Sequence, residues 1–216
     1  MSRPATRQLV PARQRALVHR IAALVLDYPD DDLLARLAQL HAAVATLTEP
    51  TRGQLDGLLD HLGRTPPWQL AADYVATFDL RRRCCLYLTY YAYGDTRKRG
   101  IALLGFKHAY RTAGVELAAD ELPDHLCVLL EFSATADLEA GTRLLLEHRA
   151  GLELLRLALT DARSPYAGAL TAVAATLPPL RADDRDAVAR LAAEGPPGED
   201  VGLEPFAPPD YMGARR

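Results

Sequence analysis

The sequence predicts an all-α, single-domain helical bundle of about nine helices, followed by a flexible tail. Three observations carry this. Apolar residues recur at three- and four-residue steps almost throughout the chain. No alternating valine- or isoleucine-rich segment is present. From Glu194 the composition turns to Gly, Pro and acid, as in Glu194-Gly195-Pro196-Pro197-Gly198-Glu199-Asp200, which cannot bury enough surface to fix a fold. The expected division is therefore 1–193 as the helical domain and 194–216 as the tail, whose one apolar cluster is Leu203-Glu204-Pro205-Phe206.

A first helix is expected from Gln8 to Asp27, closed before Pro29. Asp30, Asp31 and Asp32 cap the next, whose stripe is Leu33, Leu37, Leu40, Val44 and Leu47. Leu55, Leu58, Leu59 and Leu62 give a third. Thr65-Pro66-Pro67-Trp68 opens a fourth, with Ala71, Tyr74, Val75 and Phe78 on one face. Cys84 to Tyr93 reads as helix, with strand as the alternative, and Gly94 breaks it. Asp95 caps the following helix, and Gly114 ends it in a left-handed turn. Leu122-Pro123-Asp124 starts another, and Leu138 to Ala162 reads as one long helix despite Gly151. Ser164-Pro165 begins a helix ending near Pro178-Pro179, and Asp183 or Asp184 caps the last.

Of 216 residues, 49% are apolar and 25% charged, which excludes disorder and collagen-like repeats. The net charge of -3 argues against nucleic-acid binding, which needs a concentrated positive face. Cys84, Cys85 and Cys127 form no Cys-x-x-Cys pair, so neither a structural zinc site nor a disulfide framework is expected. The chain shows no apolar signal core after Met1 and no run near the ~20 residues of a membrane span, so a cytoplasmic location without stable membrane association is expected.

Catalytic signatures are missing: no phosphate-cradling glycine loop, no His-Glu-x-x-His, no Gly-x-Ser-x-Gly. What stands out is aromatic. Six of the nine tyrosines fall between Tyr74 and Tyr110, among them Tyr87, Tyr90, Tyr91 and Tyr93, with Phe78 and Phe106 interspersed. Tyrosine joins an apolar body to a hydrogen-bonding tip, which suits either a groove for an apolar ligand or an ordinary core edge. Arg81-Arg82-Arg83 and Arg97-Lys98-Arg99 flank the cluster and could clamp carboxylates within the fold or hold an anion. Asp120, Glu121 and Asp124 surround His125 at a helix start; capping explains the acids, and their charge could raise the histidine's pKa towards neutrality.

Four segments together resemble a known family. They are Val25-Leu26-Asp27-Tyr28-Pro29-Asp30, Tyr74 with Phe78-Asp79, Tyr93-Gly94-Asp95-Thr96-Arg97-Lys98-Arg99-Gly100, and Glu121-Leu122-Pro123-Asp124-His125-Leu126 followed by Glu131-Phe132. In order and spacing, from Ala16 to Ala175, they resemble the NarJ-type chaperones of the redox-enzyme maturation group that includes TorD and DmsD. One departure is Cys127, where the pattern has proline.

The resemblance implies a non-catalytic protein that binds the amino-terminal segment of the nitrate reductase catalytic (alpha) subunit and supports molybdenum cofactor insertion. The alpha–beta complex and cofactor-delivery proteins are further implied partners. No cofactor is expected to be held permanently, though Arg97, Lys98 and Arg99 could touch the molybdopterin guanine dinucleotide cofactor in passing. The expected peptide-binding residues are Tyr74, Phe78, Asp79, Tyr87, Tyr90, Tyr91, Asp95, Glu121, Pro123, Asp124, His125, Leu126 and Phe132. They would form an aromatic groove rimmed by Asp79, Asp95, Glu121 and Asp124. Two other classes stay open on residues alone: a metal- or His/Asp-dependent helical enzyme around His125, and a helical transcription regulator.

Overall fold

The computed structural model describes residues 10–118 and 121–194. The expected start of the first helix at Gln8, residue Asp120, and the tail from Gly195 onward lie outside the described residues. The described residues form twelve α-helices: α1 Ala12–Val25, α2 Asp31–Ala35, α3 Leu37–Val44, α4 Thr51–Arg64, α5 Pro67–Tyr74, α6 Leu88–Tyr93, α7 Arg97–Thr112, α8 Leu126–Thr135, α9 Leu138–Glu147, α10 Arg149–Asp161, α11 Ala167–Thr176 and α12 Ala182–Glu194. None is long and apolar enough to cross a membrane.

The helix α1 lies at the centre, against α8 and α11; α11 in turn meets α4 and α10, and α10 carries α6 and α12. The inward positions are those the periodicity marks, with Val18, Ile21, Leu55, Leu59, Leu129 and Leu170 all buried. One polar group joins the central helices. His19 is fully buried, its Nδ1 2.8 Å from Ser133 Oγ on α8 and its Nε2 2.9 Å from Thr176 Oγ1 on α11. Each ring nitrogen thus has a hydroxyl partner, which keeps a polar side chain tolerable at the middle of the core.

The class is as the sequence predicts, but the helices are more numerous because two expected ones are divided. The Asp30-capped helix, whose cap accepts from Leu33 N at 2.8 Å, breaks at Arg36 into α2 and α3. Leu33, Leu40, Val44 and Leu47 are still buried across the break. The expected Leu138–Ala162 helix breaks at His148, whose ring stacks on Phe106 of α7 at 4.9 Å. The halves have different neighbours, α8 for α9 and α6 with α12 for α10, so one straight axis could not serve both. Gly151 lies inside α10, where a Cβ would sit 3.0 Å from Leu88 O, so it admits α6 rather than breaking the helix.

Cys84 to Tyr93 is not one helix. A 3₁₀ turn, Arg82–Cys84, leads into extended backbone at Cys85 to Tyr87, and only then into α6. The α8 helix begins at Leu126, later than expected, because Pro123 and Asp124 occupy a turn that serves another element. Gly114, at φ 76°, follows α7 in the left-handed conformation expected of it.

Burial, with Arg15 nearby, lowers the His19 pKa from its ordinary 6.5 to about 4. Since the folded value lies below the unfolded one, stability is complete above pH 6.5 and falls as pH drops towards 4, by roughly 3 kcal/mol from this group. Thermal melts between pH 7 and 4 will show a steep acid limb. In His19→Gln the limb becomes shallower, although the midpoint at pH 7 is lower. The remaining slope comes from His125 and His148, which burial shifts in the same direction.

A candidate peptide-binding recess

Helix α5 does not stop at Tyr74 but continues as a π-helical turn, Val75–Asp79. Such wide turns are uncommon and often mark functional positions. Here it places Tyr74 and Phe78 side by side, 4.8 Å between ring centroids, with Tyr166 edge-on to both. Tyr74 is buried and its hydroxyl donates to Leu26 O, while Tyr28 covers it from the solvent side.

The turn before α8 is pinned to the chain before α6. Leu88 N donates to Asp124 O at 3.1 Å, and Leu126 N to Leu86 O at 2.8 Å, a single antiparallel bridge between Tyr87 and His125. The Asp124 carboxylate completes the junction. Its Oδ2 accepts from the backbone N–H and the hydroxyl of Thr89, capping the first turn of α6 from a distant part of the chain. Arg99 of α7 reaches in as well, with Nη2 3.5 Å from Asp124 Oδ2, Nε donating to Thr89 Oγ1, and Nη1 pairing with Asp95. Its guanidinium also lies 5.4 Å from the Tyr87 ring centroid, a cation–π distance.

Between these parts opens a recess of about 410 Å³, within the usual range for ligand pockets. Phe78, Tyr87, Tyr90 and Leu122 supply apolar surface; Asp79, Asp95, Arg82 and Arg99 supply charge; Cys85 lies at its side. A second recess of about 330 Å³ runs between α1 and α8, with Tyr110, Cys127 and Phe132 inside it and Asp27, Glu116, Glu121 and Glu131 around it. Glu121 and Leu122 are consecutive yet line different recesses, so their segment is the wall between them.

The expected residues therefore divide. Phe78, Asp79, Tyr87, Tyr90 and Asp95 meet at the first recess, whereas Glu121 and Phe132 line the second. Asp124 is no rim residue: it is fully buried. Leu126 and Pro123 are buried too, and Pro123 O accepts the Tyr110 hydroxyl. Tyr91 points into the fold, its hydroxyl within 3.0 Å of both Arg83 O and Cys85 O. His125 packs edge-on against Tyr87, and its pKa is lowered, not raised, because burial outweighs Asp27, Asp124 and Glu121. Arg97 and Lys98 are exposed while Arg99 turns inwards, so the basic trio does not converge on one point. Cys85 and Leu122 are not among the expected binding residues, although Leu122 belongs to the motif, and Arg82, expected only as a clamp or anion contact, lines the recess with them.

No group near the recess is a ready nucleophile. Burial pushes the Cys85 thiol up to about 11 and raises Tyr87 as well, so both stay protonated at neutral pH. Among the described residues, no three His, Cys, Asp or Glu side chains are placed to hold a metal ion. The arrangement offers apolar surface and charge that can grip a side chain.

The fold matches that of a solved structure from Archaeoglobus fulgidus, described as a "putative redox enzyme maturation protein", with a TM-score of 0.54 over 81% of this chain and 97% of that one, at 23% identity. A family described as "Nitrate reductase delta subunit" matches residues 44–172. Bacillus subtilis NarJ, named as a nitrate reductase molybdenum cofactor assembly chaperone, is 30% identical over 76% of this chain and 89% of its own length. The nitrate reductase-like protein NarX of Mycobacterium tuberculosis is 42% identical over 74% of this chain, which spans only 24% of it. This chain belongs to the nitrate reductase delta-subunit family.

Removing the carboxylate with Asp124→Ala leaves Arg99 without its buried partner and Thr89 N without a cap. We expect a loss of about 3 kcal/mol in urea unfolding. A loss under about 1 kcal/mol would mean that the junction is held by the backbone bridge alone.

Proposed function

We propose that this chain is a system-specific maturation chaperone for a respiratory nitrate reductase. It binds the amino-terminal segment of the catalytic subunit and keeps that subunit competent to receive its molybdenum cofactor. Family membership supports the system, since the NarJ relatives carry the name of assembly chaperones. That name describes assembly, not turnover, and we read this chain as a non-catalytic binding protein of the cytoplasm.

The observation that carries the peptide reading is the recess itself. It offers aromatic and aliphatic surface at Phe78, Tyr87, Tyr90 and Leu122 beside charges of both signs. Among the described residues Asp79 has no ion-pair partner, so it is available to an arginine or lysine of the client. Arg82 is likewise available to a client carboxylate or carbonyl. Tyr74, Tyr91, Asp124 and Leu126 act indirectly, by holding the lining side chains in place. A segment of this kind buries little area and must be ordered on binding, so its affinity is modest and its release easy.

Titration calorimetry with a synthetic peptide of the catalytic subunit's amino terminus tests this. We expect one site with a Kd on the order of 1 μM. Tyr90→Ala with Leu122→Ser should weaken it roughly tenfold or more, with unchanged thermal melting, because neither side chain is fully buried. Absence of heat with folded protein would overturn the reading. Wild-type affinity in the double variant would move the site elsewhere.

A further inference from the structure

Helix α7 carries more than its role in the recess requires. From Arg97 to Thr112 it contains five Lys or Arg residues and no acid, in a chain whose net charge is -3. Its inner face, with Phe106 and Tyr110, is buried against the bundle. Its outer face follows the helical repeat through Arg97, Ile101, Leu104, His108 and Arg111. Ile101 is 72% exposed and Leu104 59%. Arg97, Lys98, Lys107 and Arg111 are exposed, and none has an ion-pair partner among the described residues.

Two large aliphatic side chains thus stand out along a helix about 24 Å long, with cations towards both ends, and Leu104, Lys107 and Arg111 also form one wall of a shallow recess of about 420 Å³ with Val115 and Leu117. A folded protein partner would need a matching concavity to bury them. A lipid surface needs none: acyl chains deform around protruding side chains, while lysine and arginine reach up to the phosphates. Against the four exposed cations, the described lining of that shallow recess holds two acids, Glu116 and Glu121. The charge balance of the face is therefore positive.

We propose that the outer face of α7 makes a reversible contact with an anionic lipid surface. Arg97, Lys98, Lys107 and Arg111 meet headgroup phosphates, and Ile101 and Leu104 enter the boundary of the acyl region. The contact is peripheral, and its electrostatic part is screened by salt. It does not depend on the peptide reading, because none of these six side chains lines the recess that carries that reading.

Vesicle flotation with the full chain tests the proposal, using phosphatidylcholine vesicles with and without 30 mol% phosphatidylglycerol, each at roughly 50 and 500 mM salt. Binding is expected only to the phosphatidylglycerol vesicles and only at low salt. Lys107→Gln with Arg111→Gln should weaken partition about 30-fold, equivalent to about 2 kcal/mol. Ile101→Ser with Leu104→Ser should weaken it roughly tenfold. All four side chains are exposed, so both variants fold, as melting curves will verify. No binding to phosphatidylglycerol vesicles at low salt overturns the proposal, and so does full binding by both variants. Capture by an acidic peptide but not by the vesicles would assign the face to a protein partner and overturn it equally.

Discussion

Asp124 is the constraint on which the recess depends. Its carboxylate is fully buried, and a buried charge persists only where donors and counter-charges meet it. The Thr89 amide and hydroxyl supply the donors, and Arg99 supplies the charge. Meeting them fixes the start of α6, and so the positions of Tyr87 and Tyr90. It fixes the inward turn of Arg99 at the start of α7. It also holds the Glu121–Leu122 wall that separates the two recesses. Around this one group the consecutive helices α6 and α7 and a turn 35 residues beyond Thr89 acquire a common geometry.

What results is a recess of apolar surface and charge, able to hold a side chain. Tyr87, Tyr91 and the thiol at Cys85 are protonated at neutral pH because burial penalises their anions. Among the charged groups of the recess, Asp95 is paired with Arg99, while Asp79 and Arg82 have no ion-pair partner among the described residues. A partner therefore gains apolar contact and a few rim charges, which favours recognition of a short segment and its later release. In a chaperone that hands its client on, modest grip is an advantage, since tight binding would have to be undone.

Much of this was legible in the sequence where the signal is local. Stripes such as Leu55-Leu58-Leu59-Leu62 mark a buried helix face, and the Asp30 cap and the Gly114 stop depend on neighbours in the chain. The gathering of Phe78, Asp79, Tyr87, Tyr90 and Asp95 followed from their clustering and from the family resemblance. What escaped was tertiary. Asp124 looks like the cap of its own helix, but it caps α6, a choice made by the backbone bridge between Tyr87 and His125. The break at His148 depends on stacking against Phe106, and both flanking segments are equally leucine-rich. His125 sits among acids in sequence, yet its burial outweighs their charge.

The central claim is that a client segment is gripped where the π-helical turn, α6 and the Glu121–Leu126 segment meet. Hydrogen exchange of the full chain, followed with and without the amino-terminal segment of the nitrate reductase catalytic subunit, addresses it most directly. The account predicts slower exchange confined to amides of residues 78–91 and 121–126 once the segment is present. Slowing only on α10 and α12, or none at saturating segment, would contradict it.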